Sequence, residues 1–161
     1  MSPVSIREAT AADAAACREI YAHYVTDTVI TFEYEVPTSD QMAARIEAAH
    51  AWLVAERDDR VVGYAYAGPH KARAAYDWSC EVSVYLAPGL RRTGAGRALY
   101  EALFAVLRER GYAMTVAGIT LPNPASEGLH AALGFEPVGV FRRIGWKFDA
   151  WHDVYWCQRA L

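Results

Sequence analysis

The side chains best spaced to do chemistry begin with Glu81. It stands in the run Trp78-Ser79-Cys80-Glu81-Val82-Ser83-Val84-Tyr85. Period-two alternation makes this a strand with Ser79, Glu81, Ser83 and Tyr85 on one face and Trp78, Cys80, Val82 and Val84 on the other. A carboxylate in mid-strand must be paired or must face a wet cavity, because an unpaired buried charge is expensive. Glu81 is therefore half of a structural ion pair, part of an exposed face, or a base toward an amine. The same strand continues through Val84, Tyr85 and Leu86 into the turn Arg91-Arg92-Thr93-Gly94-Ala95-Gly96-Arg97, which opens an amphipathic helix. Glycines at 94 and 96 let the backbone approach a ligand, and the first N–H groups of a helix lack partners and favour an anion. Arg91, Arg92 and Arg97 add charge. The turn reads as a pyrophosphate cradle or as a solvated surface turn.

His130 follows Asn123 on a short helix, among Leu129, Leu133 and Phe135. It is either a hydrogen-bonded core histidine or a group for proton transfer near neutral pH. Asn123 is most simply an N-cap. Lys71 and Arg73, with Tyr76 close by, can hold an anionic substrate group or be solvated. Phe32, Tyr64, Tyr66, Tyr76 and Tyr85 can line a pocket or pack. Trp151-His152-Asp153 makes a poor dyad, because neighbours in a strand point to opposite faces.

Positioning these groups requires strands and helices in turn. Val4 to Arg7 alternates as a strand, and Thr10 with Asp13 opens a helix through Tyr24. Residues 26–36 read as a loop away from the core, and Pro37-Thr38-Ser39-Asp40 starts a second helix through Ala49. Residues 52–56 and 61–67 flank Arg57-Asp58-Asp59-Arg60 as a hairpin, and 68–73 is a loop. After the strand from Asp77 to Ala87, Ala98, Leu99, Ala102, Leu103, Val106 and Leu107 form an apolar stripe ended by Gly111. Met114 to Ile119 is a strand, and Pro124 to Leu133 is a helix stopped by Gly134. Segments 136–148 and 151–160 are strands about a bend near Asp149-Ala150. The expected architecture is α/β (α+β), one domain over residues 1–161, with helices flanking a mixed sheet and the basic turn at the carboxyl end of a central strand.

Composition narrows the function classes. The 161 residues are 53% hydrophobic with a net charge of -3, the profile of one domain with a full core. Scattered charges and a pI near 5.9 give no support to a nucleic-acid partner. No apolar run reaches the roughly 20 residues of a membrane span, and the first residues do not read as a signal peptide, so the expected location is cytoplasmic, with no membrane partner. Cys17, Cys80 and Cys157 are far apart and indicate neither a disulfide framework nor a zinc site; they read as buried apolar fillers. No metal is expected.

Taken together, these motifs resemble the GNAT-type N-acetyltransferases. Their acetyl-CoA turn has the pattern (Arg/Gln)-x-x-Gly-x-(Gly/Ala), filled here by Arg91, Gly94 and Gly96. A downstream pattern of Asn, Tyr seven later and Gly-Phe four further on is met by Asn123, His130, Gly134 and Phe135, with histidine in the tyrosine's place. That departure is similar to the phosphinothricin N-acetyltransferase branch. So are Gly68 to Trp78, Glu81, Leu121-Pro122-Asn123, His130 to Phe135 and Trp151 to Val154, which together span nearly the whole chain. His70 stands where a larger aromatic is expected.

The resemblance implies a GNAT fold with a mostly antiparallel sheet. It also implies acetyl transfer from acetyl-CoA, by direct attack, to the α-amine of a small amino acid such as phosphinothricin, methionine sulfoximine or methionine sulfone. Under it, Val84, Tyr85 and Leu86 pair with the pantetheine arm, a backbone N–H near Tyr85 stabilises the oxyanion, and Arg91 to Arg97 hold the pyrophosphate, with Asn123 beside the cofactor. Glu81 becomes the base, directly or through water, and His130 assists proton transfer or protonates the leaving thiolate. Lys71 and Arg73 hold the substrate's anionic group, Phe32 and Tyr76 shape its pocket, and relatives build such pockets at a homodimer interface. The competing readings are acetylation of another small amine and a non-catalytic acyl-CoA-binding module. A polyamine substrate calls for an acidic loop, which Lys71 and Arg73 do not supply.

Overall fold

Thr10 starts the first helical segment: its hydroxyl accepts from the Ala12 N–H, and the Asp13 carboxylate accepts from the Thr10 N–H. Such a reciprocal cap is worth about 1 kcal/mol. The structure is a computed structural model describing residues 2–90 and 92–161. Strand β1 (Ser5–Glu8) precedes this cap, and helices α1 (Ala14–Asp27) and α2 (Ser39–Ala48) follow it. Next come β2 (Ala51–Arg57), β3 (Arg60–Pro69) and β4 (Ser79–Leu86), then α3 (Ala95–Glu109), β5 (Met114–Thr120), α4 (Pro124–Ala132), β6 (Glu136–Lys147) and β7 (Ala150–Ala160). The β2–β3 turn has Asp58 and Asp59 at positive φ, and the β6–β7 turn has Phe148 and Asp149 there, as tight hairpins require.

All the strands join one sheet in the order β1-β2-β3-β4-β5-β7-β6. Every neighbouring pair is antiparallel except β4–β5. The α/β (α+β) expectation of a mixed, mostly antiparallel sheet is met, and β4 is its central strand. Cys80 and Val82 pack with α3 on one face, while Tyr64 of β3 and Tyr85 of β4 pack with α1 and α2 on the other. The alternation read in β4 therefore separates two cores.

Two expectations need correction. The buried stripe of α3 is Ala95, Gly96, Leu99, Tyr100, Leu103, Phe104 and Leu107. Ala98, Ala102 and Val106 sit at its margin, because the sheet draws in the larger Tyr100 and Phe104 rings. Residues 28–38 carry no helix or strand, but they do not lie off the core. Lys147 is buried and its Nζ donates to Val25 O at 2.7 Å and Thr31 O at 2.9 Å. The Phe32 ring lies so close to Gly145 that a Cβ there would meet it at 2.1 Å. The loop is tied to the end of β6 by backbone carbonyls that a buried ammonium satisfies.

Cys17, Cys80 and Cys157 are free and buried. Burial pushes the thiols up, to about 12 for Cys17 and about 11 for the other two, so they are inert fillers.

Candidate active site

The site arises where β4 and β5 part. Their ladder pairs Ser79–Glu81 with Met114–Val116 and goes no further. On its other edge β4 stays paired with β3 through Leu86, and the Ala87 N–H donates to Val62 O at 2.8 Å. Antiparallel alternation then turns the backbone groups of Ser83 and Tyr85 toward β3 and those of Val84 and Leu86 toward the opening. The Leu86 carbonyl is taken by the Tyr24 hydroxyl at 2.6 Å. Val84, rather than Tyr85, thus presents its backbone N–H to the cleft.

This opening is a narrow cavity of about 50 Å³ lined from both faces of the sheet. Its lining includes Ile30, Ser83, Val84, Tyr85, Gly118 and Thr120, and beyond them Tyr100, Asn123, Ser126 and His130. Asn123 both borders it and caps α4, with Oδ1 accepting from the Ser126 N–H at 3.2 Å.

At the carboxyl end of β4 the chain turns into α3. Gly94 is the N-cap at φ +83°, with open space around it and no capping side chain among the described residues. The first intrahelical bond there runs from the Ala98 N–H to Gly94 O, leaving the preceding N–H groups without helical acceptors. The turn is fastened by the Thr93 hydroxyl, which donates to Leu90 O at 2.7 Å. Arg92 is exposed at φ +62°, and Arg97 Nε pairs with Glu101 Oε1 at 2.8 Å along the helix. Arg91 lies outside the described residues. Gly96 is buried, and a Cβ on it would touch Leu129 at 3.4 Å and Leu86 at 3.6 Å. Its small size serves packing of α3 against β4 and α4, whereas Gly94 faces the open side.

His130 is buried on the α3 face. Its Nδ1–H donates to Ser126 O at 2.7 Å, so Nε2 accepts from the Tyr100 hydroxyl at 3.0 Å. Burial lowers its pKa, against the Ser126 carbonyl that favours the protonated form, and the imidazole is neutral near pH 7. Sequence reasoning missed Tyr100. A tyrosine among the leucines of α3 had to find a partner for its hydroxyl, and that requirement was the available signal.

Glu81 lies on the opposite face of the sheet, half-buried, with Oε2 3.8 Å from His70 Nδ1. Burial raises its pKa, and His70 and Lys71 pull the other way. It faces Gly68 across the β3–β4 ladder, where a Cβ would meet nothing within 4 Å. An amine has room to reach the carboxylate there. Lys71, Arg73 and Tyr76 are exposed on the segment after β3, where Lys71 and Tyr76 border a different hollow beside Trp78 and Tyr112. The structure does not bring them into the cleft of their own chain. His152 Nε2–H donates to Lys147 O at 2.8 Å while Asp153 Oδ1 accepts from the Arg143 N–H, so these neighbours form no dyad.

Comparison with known proteins identifies the family. The sequence matches the acetyltransferase (GNAT) domain model over residues 6–156. The phosphinothricin N-acetyltransferase of Streptomyces viridochromogenes is 43% identical over 160 residues, 98% of this chain and 87% of that protein. The L-methionine sulfoximine/L-methionine sulfone acetyltransferase of Salmonella typhimurium is 35% identical over 162 residues, 98% of this chain and 95% of its own. Among solved structures, a GNAT superfamily phosphinothricin acetyltransferase from Sinorhizobium meliloti in complex with AcCoA superposes with a TM-score of 0.94. It is 35% identical and covers 99% of this chain and 89% of that one. The chain belongs to the GNAT acetyltransferase family.

Proposed function

We propose that this acetyltransferase moves an acetyl group from acetyl-CoA to the α-amine of a small amino acid, with phosphinothricin, methionine sulfoximine and methionine sulfone as the compounds that define the class. The observation that carries the reading is the parting of β4 from β5, which leaves Glu81 before the opening, the Val84 N–H within it and the uncapped start of α3 at its end. The residues fit acetyl-CoA: the free N–H groups after Gly94 suit a pyrophosphate, and the unpaired edge of β4 suits an extended amide arm. Relatives named for phosphinothricin and for methionine sulfoximine support the substrate class.

Bound acetyl-CoA supplies an activated thioester carbonyl. Arg91 to Arg97 hold its pyrophosphate, chiefly through backbone N–H groups, with Val84 to Leu86 along its arm and Asn123 nearby. The Val84 N–H donates to the carbonyl oxygen and stabilises the charge that develops there. Glu81 accepts the proton of the attacking amine, and its raised pKa makes it a stronger base than an exposed carboxylate. His130 assists proton transfer as a neutral imidazole whose Nε2 faces the Tyr100 hydroxyl.

Lys71 and Arg73 hold the substrate's carboxylate or phosphinate, and Phe32 and Tyr76 shape the pocket. Because Lys71, which acts on Glu81, and Arg73 and Tyr76 do not line the opening of their own chain, they serve the cleft of a second copy, and the working form is a homodimer. The exposed Phe141, Ile144, Trp146 and Trp151 on the β6–β7 edge support that assembly. A cytoplasmic location suits both the acetyl-CoA supply and the free thiols.

Release of the CoA thiol with phosphinothricin, methionine sulfoximine, methionine sulfone, natural amino acids and a polyamine tests the reading. Turnover is expected with the amino acids and not with the polyamine. Preference for the polyamine, or silence with every amino acid, overturns it.

A further inference from the structure

His70 is the last side chain on the Glu81 face as β3 ends. Gly68 pairs with Glu81, and His70, two residues on, returns to the same face. Its Nδ1 is buried and has no hydrogen-bond partner among the described residues. A buried donor left in that state is costly, and such exceptions concentrate where function holds them. Glu81 Oε2 lies 3.8 Å from this nitrogen, within reach of a charge pair but too far for a hydrogen bond. A contraction of about 0.8 Å would close the gap to a normal bond length. The ring is held edge-on by Tyr76 at 5.8 Å and Trp156 at 6.1 Å, so it is aimed rather than loose.

We propose that His70 is a positioning residue for Glu81: its Nδ1 pairs with Oε2 already in the free enzyme, closes to a hydrogen bond as the acceptor amine seats, and so holds the carboxylate ionised and aimed over Gly68. The proposal rests on the assignment of Glu81 as base. The other groups facing this carboxylate are Lys71, whose charge also favours its ionised form, and Tyr66 of β3, with Tyr76 behind His70. β5 offers only Val116 opposite Glu81. Lys71 is exposed, so its influence is screened by solvent, whereas His70 Nδ1 is buried. Loss of His70 therefore removes the less solvent-screened of the two neighbours.

The test compares wild type with His70→Phe, which keeps the ring, and His70→Asn, which places a neutral donor near the Nδ1 position. The Glu81 side-chain carboxyl is followed by carbon-13 NMR across pH, its signal identified by its loss in Glu81→Gln. In His70→Phe the titration midpoint should rise by roughly half a pH unit. The acid limb of kcat/KM should move upward with it, and kcat should fall roughly tenfold with the KM for acetyl-CoA unchanged. His70→Asn should recover part of kcat and keep the displaced limb, a split that a purely structural role would not produce. If the phenylalanine variant does not fold, the asparagine variant carries the same midpoint comparison. An unchanged midpoint in a folded variant overturns the proposal. The NMR titration needs no acceptor, so an enzyme that acetylates none of the amino acids would refute the proposed substrate while leaving this pairing still decided.

Discussion

Glu81 is held against two opposing influences, the burial that raises its pKa and the neighbouring His70 and Lys71 that lower it. Only the ionised carboxylate can accept a proton, so activity rises as pH climbs through the Glu81 pKa. Because burial dominates, that limb is displaced upward from that of an exposed glutamate. Glu81→Gln should lower kcat by about 10²-fold and leave acetyl-CoA affinity, measured by titration calorimetry, unchanged. Full activity of the variant across pH would remove Glu81 from the base role. Glu81 was legible as a mid-strand acid because alternation alone fixes its face. The neutrality of His130 was not, since it depends on Ser126 and Tyr100, and Tyr100 comes from a helix thirty positions earlier in the chain.

Among the elements, α3 combines an open, uncapped start at Gly94 with a first turn whose Gly96 packs against Leu86 and Leu129. Gly94 sits at φ +83° with nothing near a Cβ, so Gly94→Val puts strain in the backbone without a clash. Its stability cost is about 1–2 kcal/mol. Its larger effect should be on the donor: displaced N–H groups should raise the acetyl-CoA KM roughly tenfold, a loss of about 1.4 kcal/mol in binding. A melting curve beside the calorimetry separates the effects, and unchanged acetyl-CoA affinity would refute the cradle. Gly-x-Gly in the sequence could not distinguish these glycines, because the Leu86 and Leu129 contacts that claim Gly96 are not local. Hairpins, caps and the Gly111 and Gly134 stops were legible for the converse reason, being set by neighbouring residues. The parting of β4 from β5 was invisible, since it depends on where a ladder between distant segments stops.

At the scale of the molecule, the loop over residues 28–38 and the β6–β7 edge form one unit. Lys147 ties the loop to β6, the Tyr34 hydroxyl donates to Trp146 O, and Phe32 lies on Gly145. Just beyond these ties the edge exposes Phe141 and Ile144, each more than half accessible, with Trp146 and Trp151 beside them. An apolar strip of this kind, on a chain whose Lys71, Arg73 and Tyr76 do not line their own opening, is economical under the proposed function if a second copy covers the strip and lends those residues. A charged pair, Phe141→Asp with Ile144→Glu, should abolish association because two copies of each charge would be buried at a two-fold interface. Light scattering should then report a monomer. Acetyl-CoA binding should survive, because Gly94 and Val84 belong to one chain, while kcat/KM for the amino acid should fall at least roughly tenfold as the lent cations are lost. A monomeric wild type, or a monomeric variant with full kcat/KM, would mean that each chain completes its own acceptor pocket.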